Sequence, residues 1–219
     1  KEYDEVVKII EEILTIDKTR IYLNRLAAYS SFEKTPPSYE KALSYMDILF
    51  KEMPADRIIP KDYTYYAKII LKKNADYPKM YQNAEKFEGD LKKNLEKFEK
   101  ASGANKDKIK ADIDTLNIKI ANAKKELATD DAELDKAFVA YQKAFEQAPE
   151  DKSLLNDIAV NLYNFKRFNE SAKYFSKLIE LGKNGAPDFI QVGKSYYQGK
   201  SYAKADSIFT IVNQTFPEE

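Results

Sequence analysis

Apolar side chains recur along most of this chain at intervals of three and four, the spacing of a helix with one buried face. In 186–219 the large positions are Phe189, Tyr196, Tyr202, Phe209 and Val212, with the small Gly193 and Ala205 between them. In 152–185 they are Leu155, Leu162, Phe168, Phe175 and Leu178, with Ala159 and Ser171 between them. The two sets superimpose at an offset of 34 residues throughout. One step back, Leu134, Ala137, Tyr141, Ala144 and Pro149 hold the same register. Two antiparallel helices in a short hairpin approach closely only where one carries a small side chain for the other to lie against. Gly193, Ala205, Ala137 and Ala159 are therefore expected at buried contacts. Tyr196, Tyr202 and Phe209 are expected to fill the space around them.

The arrangement of a small residue, a large one three on, then an aromatic, Ala and a large residue, closing on Pro149 or Pro217, resembles the tetratricopeptide repeat. The family's Trp near the start of each unit is replaced by Leu155 and Phe189. The resemblance covers 131–219 closely and persists upstream. "YEKALSYMDILFKEMP" (39–54) has Tyr39, Ala42, Met46, Leu49 and Pro54 at second-helix spacing, after a first helix over 20–32. Residues 2–17 read as a second helix without a first, so the native protein is expected to continue in at least one direction.

Between these regions lies a longer stretch. "DYTYYAKIILKK" (62–73) restores the first-helix pattern with Tyr63, Tyr66, Ala67 and Ile70. Two heptad seams follow: Met80, Ala84, Phe87, Leu91, Asn94 and Phe98, then Ile109, Ile113, Leu116, Ile120, Ala123 and Leu127. The Ser-Gly-Ala-Asn turn between them forces antiparallel neighbours. Either two successive repeat helices are lengthened, or a self-contained hairpin is inserted within one repeat. The first is favoured, because "NADYPKM" (74–80) resembles an inter-helix turn of a repeat. Asp130 with Glu133 then reads as a capping box that opens the helix carrying Ala137.

The resemblance thus implies an all-α, right-handed α-α superhelix with an elongated antiparallel two-helix hairpin in the middle. It would be a single solenoid over 1–219, of about five and a half repeats. Its parts would be a half repeat at 1–19, then 20–56, 57–104, 105–151, 152–185 and 186–219. The lengthened helices would project as a hairpin at about 78–128, roughly 15–20 Å beyond the body at the helical rise.

Composition narrows the function. Among 219 residues, 36 basic side chains balance 36 acidic ones, so net charge draws the protein toward neither nucleic acid nor an anionic membrane. With no His and no Cys, the commonest general base, metal ligand and thiol nucleophile are missing. No Gly-rich phosphate loop, calcium loop or nucleophile elbow occurs. Acidic clusters such as "TDDAELD" read as solvated or capping residues, and middle-segment lysines alternate with carboxylates as on a solvated helix. No catalysis and no cofactor are expected.

What remains is a protein–protein interaction scaffold that holds a peptide or protein segment in the groove lined by first helices. Register places Asn24, Lys61, Thr64, Lys68, Asn156 and Lys194 on that face, with Tyr65, Tyr163 and Tyr197 on or near it. The Lys/Asn clamp of relatives that bind chaperone C-termini is not reproduced, because Val160 and Ile190 stand where it needs polar donors. Lys61, Lys68 and Lys194 leave a mildly basic groove suited to an acidic or extended segment. The alternative is a small-ligand or glycan receptor on the same helices, disfavoured by the lack of Trp. By composition the chain resembles bacterial members of the family, those of the cell envelope included; it carries no transmembrane segment and leaves the compartment open.

Overall fold

The computed structural model describes residues 2–218. Its helices are α1 (Glu2–Ile16), α2 (Tyr22–Glu33), α3 (Tyr39–Glu52), α4 (Pro60–Lys73), α5 (Tyr77–Lys100), α6 (Gly103–Gln147), α7 (Lys152–Asn164), α8 (Phe168–Glu180), α9 (Ala186–Gln198) and α10 (Tyr202–Thr215). A 3-10 turn, Ala55–Arg57, precedes α4. The chain divides into a repeat unit, Lys1–Lys73 with Lys136–Glu219, and an inserted unit, Asn74–Asp135.

In the repeat unit, α2 packs on α3, α7 on α8 and α9 on α10, while α1 packs on α2, α3 on α4 and α8 on α9. The small side chains sit where expected: Ala137, Ala159 and Ala205 are buried. A Cβ added at Gly193 would lie 2.5 Å from the Phe209 ring, so the α9–α10 approach requires glycine there. At the equivalent place in α7–α8, the buried Ser171 hydroxyl donates to the Ala159 carbonyl at 2.7 Å. The turns repeat as well. Lys166 and Lys200, 34 residues apart, both take positive φ (67° and 58°). In each turn the next residue's N–H reaches a carbonyl five residues back, Arg167 to Leu162 and Ser201 to Tyr196. Such bonds satisfy the last carbonyls of the preceding helix. Tyr202 departs from expectation. It is 57% exposed and meets the edge of Tyr197 at 5.5 Å rather than filling the hairpin interior.

The middle of the chain corrects the favoured reading. No break occurs at Asp130: α6 runs continuously from Gly103 to Gln147, so Asp130 and Glu133 lie inside a helix and open none. The local sequence "KELATDDAELDKAF" holds neither Gly nor Pro, and Thr129 folds its hydroxyl back to the Lys125 carbonyl at 3.2 Å, so nothing stops the helix. Nor is 105–151 a repeat with a turn of its own. Within the repeat unit, Gln147 donates to the Ile58 carbonyl at 3.2 Å, and the Lys143 ammonium lies 5.6 Å from the Tyr63 ring centre. The end of α6 therefore runs antiparallel to α4 as its second helix. Residues 74–135 are inserted between the two partners of one repeat, which leaves one repeat fewer than the spacing suggested.

Within the inserted unit, α5 and the first part of α6 form an antiparallel hairpin. Its base is tied by Asn74 donating to Glu133 at 2.8 Å and by the Tyr77 hydroxyl donating to Asp131 at 2.7 Å. Ala84 and Ile120 are buried, while Phe87, Leu91, Phe98, Ile109, Ile113 and Leu116 of the predicted seams are half-buried.

Candidate functional site

Pro60 opens α4, where its missing N–H costs nothing and its fixed φ suits the first turn. From there Lys61, Thr64, Tyr65 and Lys68 fall on one helical face. The next first helix, α7, is capped by Asp151, whose carboxylate accepts from the Ser153 and Leu154 N–H groups at 2.9 and 3.0 Å. Between α4 and α7 lies a groove of about 460 Å3, lined by those four α4 residues and by Ser153, Leu154 and Asp157 of α7. Ile59, Pro60 and Ala148 add apolar surface to it. Lys68 pairs with Asp157 from the facing helix.

The α4 wall is a stacked aromatic pair. Tyr65 lies on Tyr29 of α2 with ring centres 3.8 Å apart, and its hydroxyl donates to Glu33 at 2.9 Å. Burial, with the Glu33 carboxylate, pushes the Tyr65 phenol up to about 12. The Lys61 ammonium sits 5.5 and 5.6 Å from the two ring centres, within cation–π range.

Beneath this wall is a residue that sequence reasoning missed. Asp62 is fully buried and accepts four hydrogen bonds: from Arg25 Nε at 2.6 Å, Arg25 Nη2 at 2.7 Å, the Tyr29 hydroxyl at 2.7 Å and the Ile59 N–H at 3.0 Å. Arg25 also reaches the Arg57 carbonyl at 2.9 Å. Its bond to Asp62 raises the guanidinium pKa further, against the effect of burial. Burial first, then Asp62, lifts the Tyr29 phenol well above its ordinary value. A buried carboxylate is tolerated only when its lone pairs are filled, and here they are. The Asp62–Ile59 half of the arrangement was visible as an acidic third residue of a helix. The Arg25 half, 37 residues away, was not.

The structure brings Lys61, Thr64, Tyr65 and Lys68 together in one groove and scatters the other predicted residues. Asn24 is corrected outright: it is 4% exposed, and its amide donates to the Ile21 carbonyl at 3.0 Å, so a partner has no access to it. Asn156 accepts from Lys183 at 3.2 Å. Tyr163 packs edge-on against Phe168 at 5.2 Å. Lys194 and Tyr197 are exposed on α9, outside the residues that line the groove.

Among the described residues no cluster of three or more acidic side chains is placed to hold a metal ion, and no helix is long and apolar enough to cross a membrane. The chain matches no protein-family model and no curated protein. Solved structures do match. One is the C-terminal part of a TPR repeat-containing protein from Cytophaga hutchinsonii, with 18% identity and a TM-score of 0.53 over 99% of this chain. The chain spans 60% of that C-terminal part. Another is YrrB, described as a TPR protein with an unusual peptide-binding site, with 12% identity and a TM-score of 0.54 over 100% of this chain and 80% of YrrB. At such identities the likeness concerns the backbone alone. The fold is that of the tetratricopeptide-repeat proteins, an all-α superhelix with a helical hairpin inserted within one repeat.

Proposed function

We propose that this chain is a non-catalytic interaction scaffold that seats a protein or peptide segment in the groove between α4 and α7. The observation that carries the reading is the preset wall of Lys61 and Tyr65, held on the Tyr29–Asp62–Arg25 network. An aromatic anchor already fixed before binding loses little conformational freedom when a partner arrives. Ile59, Ala148 and Leu154 offer apolar contact beside it, and Lys61 offers a cation. An extended segment with one apolar and one acidic side chain suits that surface. YrrB, with its unusual peptide-binding site, provides a precedent on the same fold, which by itself assigns no function. The most buried carboxylate, Asp62, is saturated by its four donors and has no lone pair available for proton transfer.

Panning a random peptide library on the intact protein tests the reading. Peptides enriched by the wild type should lose at least about tenfold in affinity for Lys61→Glu/Tyr65→Ala, the loss expected when an anchor is truncated. Enriched peptides that bind this variant as tightly as wild type would move the site elsewhere.

A further inference from the structure

We propose that the inserted α5–α6 hairpin carries a second docking surface, independent of the groove: a lysine-lined furrow that takes an acidic amphipathic helix of a partner protein. Two adjoining depressions of about 320 and 440 Å3 run along one side of the hairpin and share Asn94, Lys97 and Asp112. Lys93, Lys97 and Lys100, at i, i+4 and i+7 of α5, form one rim. Lys108 and Lys119 of α6 stand on the other. Asp90 and Asp112 are the carboxylates among the lining residues, so the furrow is net basic in a chain whose total charge is zero. The charge is therefore sorted by position.

The floor decides the class of partner. Ile109 and Leu116, both half-buried, line the furrow with the lysines, and a helix laid there would cover them while its carboxylates meet the ammonium groups. A partner with acidic residues at three- and four-residue spacing beside a Leu or Ile stripe satisfies both demands. A nucleic acid would meet the lysines but has no apolar stripe to cover Ile109 and Leu116, and residues 74–135 contain no Arg for bidentate phosphate contacts. Phe87 and Phe98, the rings available for base stacking, lie under Lys119 and Lys106 at 5.8 and 4.7 Å.

The test uses the intact protein and a fluorescein-labelled helix of about 21 residues, long enough to be helical in water, built from the repeat Glu-Leu-Ala-Glu-Glu-Leu-Ala. Anisotropy titrations at low salt should show binding that weakens about tenfold in Lys97→Gln/Lys100→Gln/Lys108→Gln, three lost surface ion pairs. The variant Lys92→Gln/Lys106→Gln/Lys110→Gln removes as many charges from hairpin lysines outside the furrow and should stay within about twofold of wild type. Lys61→Glu, in the groove, should bind this helix like wild type, which separates failure of the groove from failure of the furrow. Equal losses in the two triple variants, no binding by wild type, or tighter binding of a single-stranded DNA of about 20 nucleotides would each overturn the proposal.

Discussion

The repeat unit and the inserted hairpin are both antiparallel helices, yet they bury their seams to different depths. In the repeat unit a helix has neighbours on two sides. Leu155, Ile158, Ala159 and Val192 are sealed as a result, and small residues set how closely the axes approach. Within the inserted unit α5 and the first part of α6 pack on each other, and Phe87, Leu91, Ile113 and Leu116 remain half-buried along the same kind of apolar stripe. A second neighbour, more than the quality of the stripe, completes burial. The consequence reaches function. Flanks left in solvent are free to sort charge, as the lysine rims of α5 and α6 do, whereas in the repeat unit a charge drawn inward is held by several donors, as Asp62 is.

Alkali should act most on the repeat unit. Burial raises the phenols of Tyr29, Tyr45, Tyr65 and Tyr141 there, that of Tyr65 to about 12, whereas in the inserted unit it raises that of Tyr81. Unfolded phenols titrate near 10, so above that pH the unfolded chain releases protons the native one keeps. The contribution to stability is whole below about pH 10 and falls as pH rises toward the folded values. Tyrosinate absorbance and loss of helical ellipticity should rise together between about pH 10 and 12. Complete tyrosinate absorbance near pH 10 with the helices intact would mean these four rings are not buried.

Next comes the buried network. Asp62→Ala leaves Arg25 facing a space without its anion, and breaking such a pair costs about 3–5 kcal/mol. The hairpin's Lys124–Glu88 pair, 2.8 Å apart with side chains 62% and 50% exposed, is the counterpart. Glu88→Ala should change stability by less than about 1 kcal/mol. Urea melts of the two variants give the comparison directly. Similar losses would erase the distinction between sealed and open seams.

Two glycines sharpen it further. Gly193→Val forces a branched side chain into the Phe209 ring and should destabilise by about 1–3 kcal/mol. Gly89 sits within α5 with nothing within 4 Å of the Cβ it lacks. Gly89→Ala should therefore stabilise by roughly 0.5–1 kcal/mol through helix propensity alone. A destabilising Gly89→Ala would mean that the open flank of α5 is covered after all.

These same residues show what the chain made legible. Gly193, Ala159 and Ala205 announced the repeat because close helix approach admits few side chains, and that restriction recurs at a fixed interval. The heptads of α5 and α6 announced their pairing for the same reason. The placement of the hairpin was not legible. A turn such as 74–76 looks alike whether it joins two halves of a repeat or leads into an insertion. Which helix partners α4 depends on a contact between residues such as Ile58 and Gln147 that are distant in sequence. Lys61, Thr64, Tyr65 and Lys68 were legible as one face. Asn24 was not separable from them, because register gives the direction of a side chain and not what lies in front of it.

The smallest expected change in stability tests how the groove handles charge. Lys68 and Asp157 are 38% and 42% exposed, so their pair across the groove contributes about 0.2–1 kcal/mol. Lys68→Gln should barely move a urea midpoint. Asp157 already occupies the ammonium, so Lys68→Gln should weaken an acidic peptide only slightly, and Asp157→Asn, by releasing Lys68, should tighten it by about three- to fivefold. The tightening should fade as salt rises from low to physiological strength, since both groups meet solvent. If Asp157→Asn instead weakens binding, the carboxylate itself is a contact, and the segment that fits between α4 and α7 carries a cation at that point.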